Sequence, residues 1–143
     1  MAHVFNEAKR MLFAGELDLN ADDIRGLLVM SNTTVDTEND GILDLADFST
    51  LDECDDDTYA RQALTNETVT ADDSNDRAEF DADDITFENT GDATRDIAGL
   101  LLYKHVDGTA ANDKPIAFYD FTATLDGNDL VLTVDAEGLL QLS

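Results

Sequence analysis

Tryptophan is absent from this chain of 143 residues, and proline and cysteine occur once each, as Pro115 and Cys54. A single cysteine cannot form an internal disulfide bond, and its acidic neighbours Glu53 and Asp55 disfavour the thiolate that a nucleophile needs. No apolar run approaches the roughly 18 residues of a membrane-spanning helix. The first residues lack the basic and apolar regions of a signal peptide, which predicts synthesis in the cytoplasm.

Positive charge is also scarce, because eight Lys and Arg residues stand against 33 Asp and Glu residues, giving a formal net charge of −25. A field of this sign repels phosphate backbones and anionic lipid headgroups, so we expect no direct binding to nucleic acid or to a membrane. Apolar residues make up 43% of the chain. That content supports a core, and the length predicts one domain covering residues 1–143.

The sequence predicts an all-β fold preceded by one short helix. The helix is expected at 1–15, where apolar residues recur every three or four positions and Gly15 can end it. Asp126 and Gly127 predict a hairpin turn between the last two long strands. Turns at regular spacing predict a β-sandwich or a small jelly-roll-like barrel of about seven or eight strands. The expected strands lie at 24–30, 60–70, 77–89, 97–105, 115–124, 129–135 and 138–143.

A long acidic loop is predicted at 33–58, and within it DTENDGILDLAD (36–47) fits most of the EF-hand calcium-loop pattern. Counting Asp36 as position 1 places Asp40 at position 5 and Asp47 at position 12. However, a strand and a turn precede the segment instead of a helix, and the twelfth residue is normally the longer Glu. We therefore predict an acidic surface loop, with a calcium-dependent binding module as an alternative.

We predict no catalytic, cofactor-binding or metal-binding residues elsewhere in the chain. His3 and His105 are far apart in sequence, and no pair of cysteines supports them as zinc ligands. The acidic clusters at 55–57, 72–76 and 81–84 have the oxygen ligands that a hard cation needs, but we expect solvated runs of charge there instead. No GxSxG, GxGxxG or P-loop motif is present. The lack of Trp also disfavours the aromatic cleft of a carbohydrate-active enzyme, so we expect no enzymatic activity.

The remaining polar and aromatic candidates have structural interpretations. Tyr59, Tyr103 and Tyr119 fall on or beside predicted strands, which favours packing roles. The five arginines are scarce cations in an acidic chain, and we expect some of them in ion pairs or at contacts with a partner.

Four stretches of the sequence form a series: NEAKRMLFAGELDLNADDIRGLLVM (6–30), YARQALTNETVT (59–70), FDADDITFEN (80–89) and AEGLLQLS (136–143). In this order they resemble a family of small structural proteins encoded among the virion genes of tailed bacteriophages. The family opens with a short helix that ends at a Gly, followed by an acidic stretch and the first strand. Its counterpart of 36–47 is a variable acidic or Asn-rich loop without an EF-hand, which further disfavours the calcium alternative.

The resemblance implies a non-enzymatic virion protein, and we favour a capsid decoration (cement) protein. Its partners would be the major capsid protein, which it binds and stabilises from outside, and further copies of itself in a symmetric arrangement. A charge of −25 suits the exterior of a shell that holds DNA. A tail or neck component is the alternative, since an acidic tail lumen would let DNA slide. The expected anchor is the N-terminal helix, through Phe5, Met11 and Phe13.

Overall fold

A computed structural model describes residues 3–143 of the chain. These residues form one α-helix, α1 (Asn6–Ala14), and a single turn of 3-10 helix at Leu45–Asp47. The ten strands that they contain are β1 (His3–Val4), β2 (Ile24–Met30), β3 (Gln62–Ala63), β4 (Thr68–Asp72), β5 (Arg77–Asp81), β6 (Ile85–Phe87), β7 (Ile97–Lys104), β8 (Lys114–Ala123), β9 (Leu130–Leu132) and β10 (Leu140–Leu142).

The strands form three antiparallel sheets, which confirms the all-β prediction. The largest has five strands in the order β1-β8-β7-β2-β3. A three-stranded sheet has the order β10-β5-β4, and β6 pairs with β9 alone. The tight turn 73–76 joins β4 to β5 as an antiparallel hairpin, so the turn expected in this acidic stretch is present.

Helix α1 lies within the predicted 1–15 segment and ends where its sequence indicates. Gly15 adopts a left-handed conformation with φ of 69°, and its backbone N–H donates to the carbonyl oxygen of Leu12. Glycine adopts this conformation without a steric penalty, which explains the helix end. Ala8 and Met11 are buried on the inner face of the helix, whereas Phe13 is 96% exposed.

The central strands β2 and β7 are buried on both faces of the five-stranded sheet. One face, including Leu28 and Leu102, packs in a cluster with Phe80 of β5, Phe87 of β6 and α1. The other face packs against the acidic segment 33–58 through a set of buried side chains from that segment: Val35, Ile42, Leu45 and Phe48. The segment predicted as an acidic loop therefore covers the sheet with its apolar residues and turns many of its carboxylates outward.

Two of the predicted strands are each divided into two strands. The segment 60–70 contains β3 and β4, separated by Asn66, whose φ of 55° interrupts an extended chain. The segment 77–89 contains β5 and β6, and the side chain of Asp81 accepts a hydrogen bond from the backbone of Ala82 between them. These divisions, together with β1, raise the strand number from the predicted seven or eight to ten.

The predicted hairpin at Asp126–Gly127 is wrong, because β9 pairs with β6 and not with β8. The turn itself is present but is bonded to the end of β6. The Gly127 N–H donates to the carbonyl oxygen of Thr90, and the Asp129 carboxylate accepts from the Asn89 N–H. These bonds carry the chain away from β8 and across to the two-stranded sheet.

Candidate binding groove

A groove of about 700 Å³ lies between α1 and the three-stranded sheet. Its two walls are mostly apolar. We call it the helix–sheet groove and define it by its lining residues: Val4, Lys9, Leu12, Phe13, Gly15, Leu17, Asp18, Leu19, Asn20, Val69, Ala78, Glu79, Phe80, Leu140, Gln141 and Leu142.

The sheet wall of the groove is built by the two-residue alternation of β-strands. Val69 and Leu140 each lie opposite Phe80, and Leu142 lies opposite Ala78, so these side chains share one face of the sheet. Phe80 is 2% exposed and belongs to the core, but Val69 and Leu142 are 50% and 66% exposed. The apolar face thus begins in the core and continues beyond it into solvent.

The helix wall of the groove ends in Phe13, which no described residue covers to any large extent. Burial of a phenylalanine side chain contributes about 1.5–3 kcal/mol, and this chain does not obtain that contribution from Phe13 by folding. The two other residues of the predicted anchor are not available, since Phe5 and Met11 are 0% and 3% exposed. Of the three residues predicted as the anchor, Phe13 is therefore the one whose side chain is exposed on the surface.

Several carboxylates of the 36–47 loop bind backbone groups of the loop and of the residues just after it. Asp47 accepts hydrogen bonds from the backbone N–H groups of Leu43 and Asp44, and Asp44 caps the 3-10 turn in return. Glu38 accepts from the backbone N–H of Ser49. The element directly before the loop is strand β2 and not a helix, and the loop itself contains only the 3-10 turn. This geometry is not that of an EF-hand.

Carboxylates of the other acidic clusters also bind turns of the chain. Asp72 accepts from the side chains of Ser74 and Asn75, and these bonds lower its pKa to about 2. The Asp55 carboxylate accepts from the backbone and the hydroxyl of Thr94. Within residues 3–143, no group of three or more His, Cys, Asp or Glu side chains is placed to hold a metal ion.

All five arginines form ion pairs within the chain, as expected for part of them. The pairs are Arg10 with Glu7 and Glu16, Arg25 with Asp23, Arg61 with Glu53 and Asp113, Arg77 with Asp72, Glu79 and Glu137, and Arg95 with Asp52. Lys104 and Lys114 are also paired, with Asp22 and Asp44. Among the described Lys and Arg residues this leaves Lys9 without an ion pair, and Lys9 lies on the helix wall of the groove.

A buried polar cluster surrounds Asp113, a residue that the sequence did not single out. Asp113 is fully buried, and its Oδ2 atom lies 3.5 Å from Nη1 of Arg61 and 3.5 Å from Nδ1 of His105. The Arg61 guanidinium also lies over the Tyr103 ring, 5.1 Å from its centre. The cluster joins β7 to the segments around β3 and β8, which gives His105 and Tyr103 packing roles.

The thiol of Cys54 and the phenol of Tyr59 face the interior. Burial raises the pKa of the Cys54 thiol, in agreement with an unreactive cysteine. The Tyr59 hydroxyl accepts from the Leu28 N–H and donates to Glu53, and burial raises its pKa far above the usual range.

No helix among residues 3–143 is long and apolar enough to cross a membrane.

Comparisons with known proteins gave no match to a protein-family model, a curated protein or a solved structure.

The sequence contained signals for both walls of the groove. Phe13 lies outside the Ala8, Met11 and Leu12 stripe of the helix, and the alternating segments 68–72 and 140–142 carry apolar residues on one face. What periodicity could not show is that these two surfaces face each other.

Proposed function

We propose that this chain is a non-enzymatic structural protein of a tailed-phage particle, a capsid decoration protein that attaches to the outer surface of the major capsid protein. The observation that carries the attachment is the helix–sheet groove, an apolar surface on a strongly acidic domain. The resemblance of four sequence stretches to small virion proteins supports the phage particle as the setting.

The groove supplies the attractive part of the interaction. Exposed apolar patches rimmed by polar residues mark surfaces that bind other proteins. Phe13, Val69 and Leu142 are each at least half exposed and lie together in this groove. Aromatic and aliphatic side chains that become fully desolvated commonly dominate binding energy, which makes Phe13 the expected anchor.

The net negative charge produces repulsion between decorated particles. A protein with a net charge of −25 on the outside of a shell keeps particles apart and lies away from the enclosed DNA. Attachment of a protein to the assembled shell, and not to free subunits, stabilises the shell by mass action. Many weak, symmetric contacts of this kind are sufficient to strengthen a particle.

The test is co-sedimentation of the chain with shells assembled from the major capsid protein of the same phage. We expect the wild-type chain to sediment with the shells, and Phe13→Ser to reduce its apparent affinity at least about tenfold, because a buried aromatic anchor contributes roughly 1.4 kcal/mol or more. Leu43→Ser is the matched control, since Leu43 is 55% exposed but does not line the groove.

Three results would count against the proposal. Equal binding of wild type and Phe13→Ser, with both folded, would exclude the groove as the attachment surface. Immunogold labelling of intact virions separates the two particle positions: label on heads supports decoration, and label confined to tails would transfer the protein to the tail or neck. No label on intact or opened particles would exclude a virion protein altogether.

A further inference from the structure

Strand β4 forms an open edge of the three-stranded sheet, beside the groove. It pairs with β5 on one side, and among the described residues no other backbone group bonds to residues 68–71. The Phe80 carbonyl is directed to the β10 side of β5, where it accepts from Leu139. Because successive residues alternate their hydrogen-bonding side, the N–H and C=O groups of Val69 and Ala71 point away from β5 into solvent.

This edge lacks the features that usually prevent strand addition. Natural edge strands are blunted by charged residues, proline, bulges or a covering segment. Residues 68–71 read Thr-Val-Thr-Ala, with no charge and no proline. The pairing of β4 with β5 runs without a register shift over all five residues, so the edge is regular and of ordinary strand length.

A strand added to β4 would extend the apolar face of the sheet by one row. Its residues facing the same way as Val69 would lie beside the groove, and the residues between them would join the polar face of Thr68 and Thr70. The added strand must therefore carry apolar side chains at alternate positions. The groove volume of about 700 Å³ is large enough to receive several such side chains.

Charge around β4 selects among partners. Six carboxylates lie between residues 67 and 81, with Glu67 before the strand and Asp72 and Asp73 at its end. The one cation of this segment, Arg77, is already engaged by Asp72, Glu79 and Glu137. Lysine or arginine at both ends of an added strand would meet uncompensated acidic groups. A second copy of this chain is disfavoured, because it would bring another −25 charges and the same acidic ends.

We propose that β4 accepts an extended segment of the partner protein, with alternating apolar residues and a Lys or Arg at each end, which completes the sheet and fills the helix–sheet groove. This inference rests on the groove being the attachment surface. It adds the form and charge of the partner segment, which the attachment alone does not specify.

The test uses two fluorescein-labelled synthetic peptides, Lys-Val-Thr-Val-Thr-Val-Lys and its counterpart with Glu at both ends, in fluorescence anisotropy titrations. We expect the lysine peptide to bind at least about tenfold more tightly, with the difference shrinking as salt rises from about 0.05 to 0.5 M. Equal affinities, or no binding of either peptide, would overturn the inference.

Backbone pairing is tested by Ala71→Pro, which removes an N–H that faces solvent and leaves the bonds to β5 in place. We expect Ala71→Pro to lower the affinity for the lysine peptide at least about tenfold. Ala136→Pro is the matched control, because Ala136 follows Asp135 in a turn closed by the Gly138 N–H, where proline is well tolerated. If Ala71→Pro does not fold, Val69→Thr, which keeps the shape but lowers apolarity, replaces it.

The same variants separate this inference from the proposed function. If Ala71→Pro still sediments with capsid shells while Phe13→Ser does not, the groove is the attachment surface and strand addition is wrong. If sedimentation velocity at about 0.15 M salt shows a concentration-dependent dimer that Ala71→Pro abolishes, the occupant of the edge is a second copy, which also overturns the inference.

Discussion

Replacement of Asp56 by alanine should destabilise the fold more than replacement of any exposed aspartate. Asp56 is 6% exposed and connects the segment before β3 to the loop after β6. Its carboxylate accepts from the Thr58 N–H at 2.9 Å, the Thr58 hydroxyl at 2.7 Å and the Asp92 N–H at 2.8 Å. The Gly91 N–H donates to the same carboxylate.

The charge of Asp56 is stabilised by these donors in the folded state. Burial alone would raise the pKa of the carboxyl group, but hydrogen bonds from Asp92, Thr58 and Gly91 outweigh it and hold the pKa far below its ordinary value. A carboxyl group with a lowered folded pKa contributes stability above its unfolded pKa of about 4, and that contribution disappears as the pH falls.

The size of the effect follows from the groups that lose their acceptor in Asp56→Ala. A buried donor left unsatisfied costs about 1–3 kcal/mol, but water can reach part of these groups because Thr58, Gly91 and Asp92 are themselves exposed. We therefore expect a loss of about 3 kcal/mol in the free energy of unfolding at pH 7. For a domain of this size that loss lowers Tm by about 10 °C.

Urea denaturation at pH 7 measures the loss, with Asp57→Ala as the matched control because Asp57 is exposed and adjacent. Asp56→Asn keeps the shape and removes the charge, so its deficit relative to wild type should shrink between about pH 5 and pH 3. The general relief of self-repulsion at low pH affects both proteins and cancels in this difference. A loss for Asp56→Ala within about 0.5 kcal/mol of that for Asp57→Ala would refute the reasoning.

Three further outcomes test the packing and the charge. Phe5→Ala should cost about 3–5 kcal/mol in urea denaturation because Phe5 is fully buried against Phe48, whereas Phe13→Ala should change stability by less than about 0.5 kcal/mol. Gly99→Ala should lower Tm, since an added Cβ would lie 2.5 Å from a ring atom of Phe118, and a melt equal to wild type would contradict that contact. Because about 1 M salt screens the repulsion between copies, we expect weak self-association of the wild-type chain in sedimentation velocity and less of it for Phe13→Ser. A wild-type chain that stays monomeric at this salt concentration would count against an apolar groove that binds other proteins.

The strands that sequence patterns placed well include the two central ones, whose burial is nearly continuous along their length. Predicted strand 24–30 coincides with β2, 97–105 is one residue longer than β7, and 115–124 is shifted by one residue relative to β8. Most residues of β2 and β7 are buried, because small sheets pack on one side and the acidic segment on the other. Continuous apolar runs of strand length follow from that double burial.

Pairing was not predictable in the same way, because it depends on contacts distant in sequence. The Asp126–Gly127 pair correctly indicates that the chain turns at this point, but it does not specify which strands pair on either side of the turn. The deciding bonds come from Asn89 and Thr90, nearly forty residues earlier in the chain. The division of 60–70 and 77–89 likewise depends on how each half is paired and not on its own alternation.

The groove shows how charge and apolar surface can coexist on one small domain. An exposed Phe13 beside an open strand edge would favour aggregation in a neutral protein, since both features attract further copies. Here any second copy approaches with a like charge of −25, and the carboxylates at the ends of β4 add to the repulsion. In the proposed strand addition, a partner with basic residues at those ends experiences attraction instead, so the charge that opposes self-association would also favour this segment. Under this proposal, the acidic composition determines which partner is favoured and the apolar groove supplies the affinity.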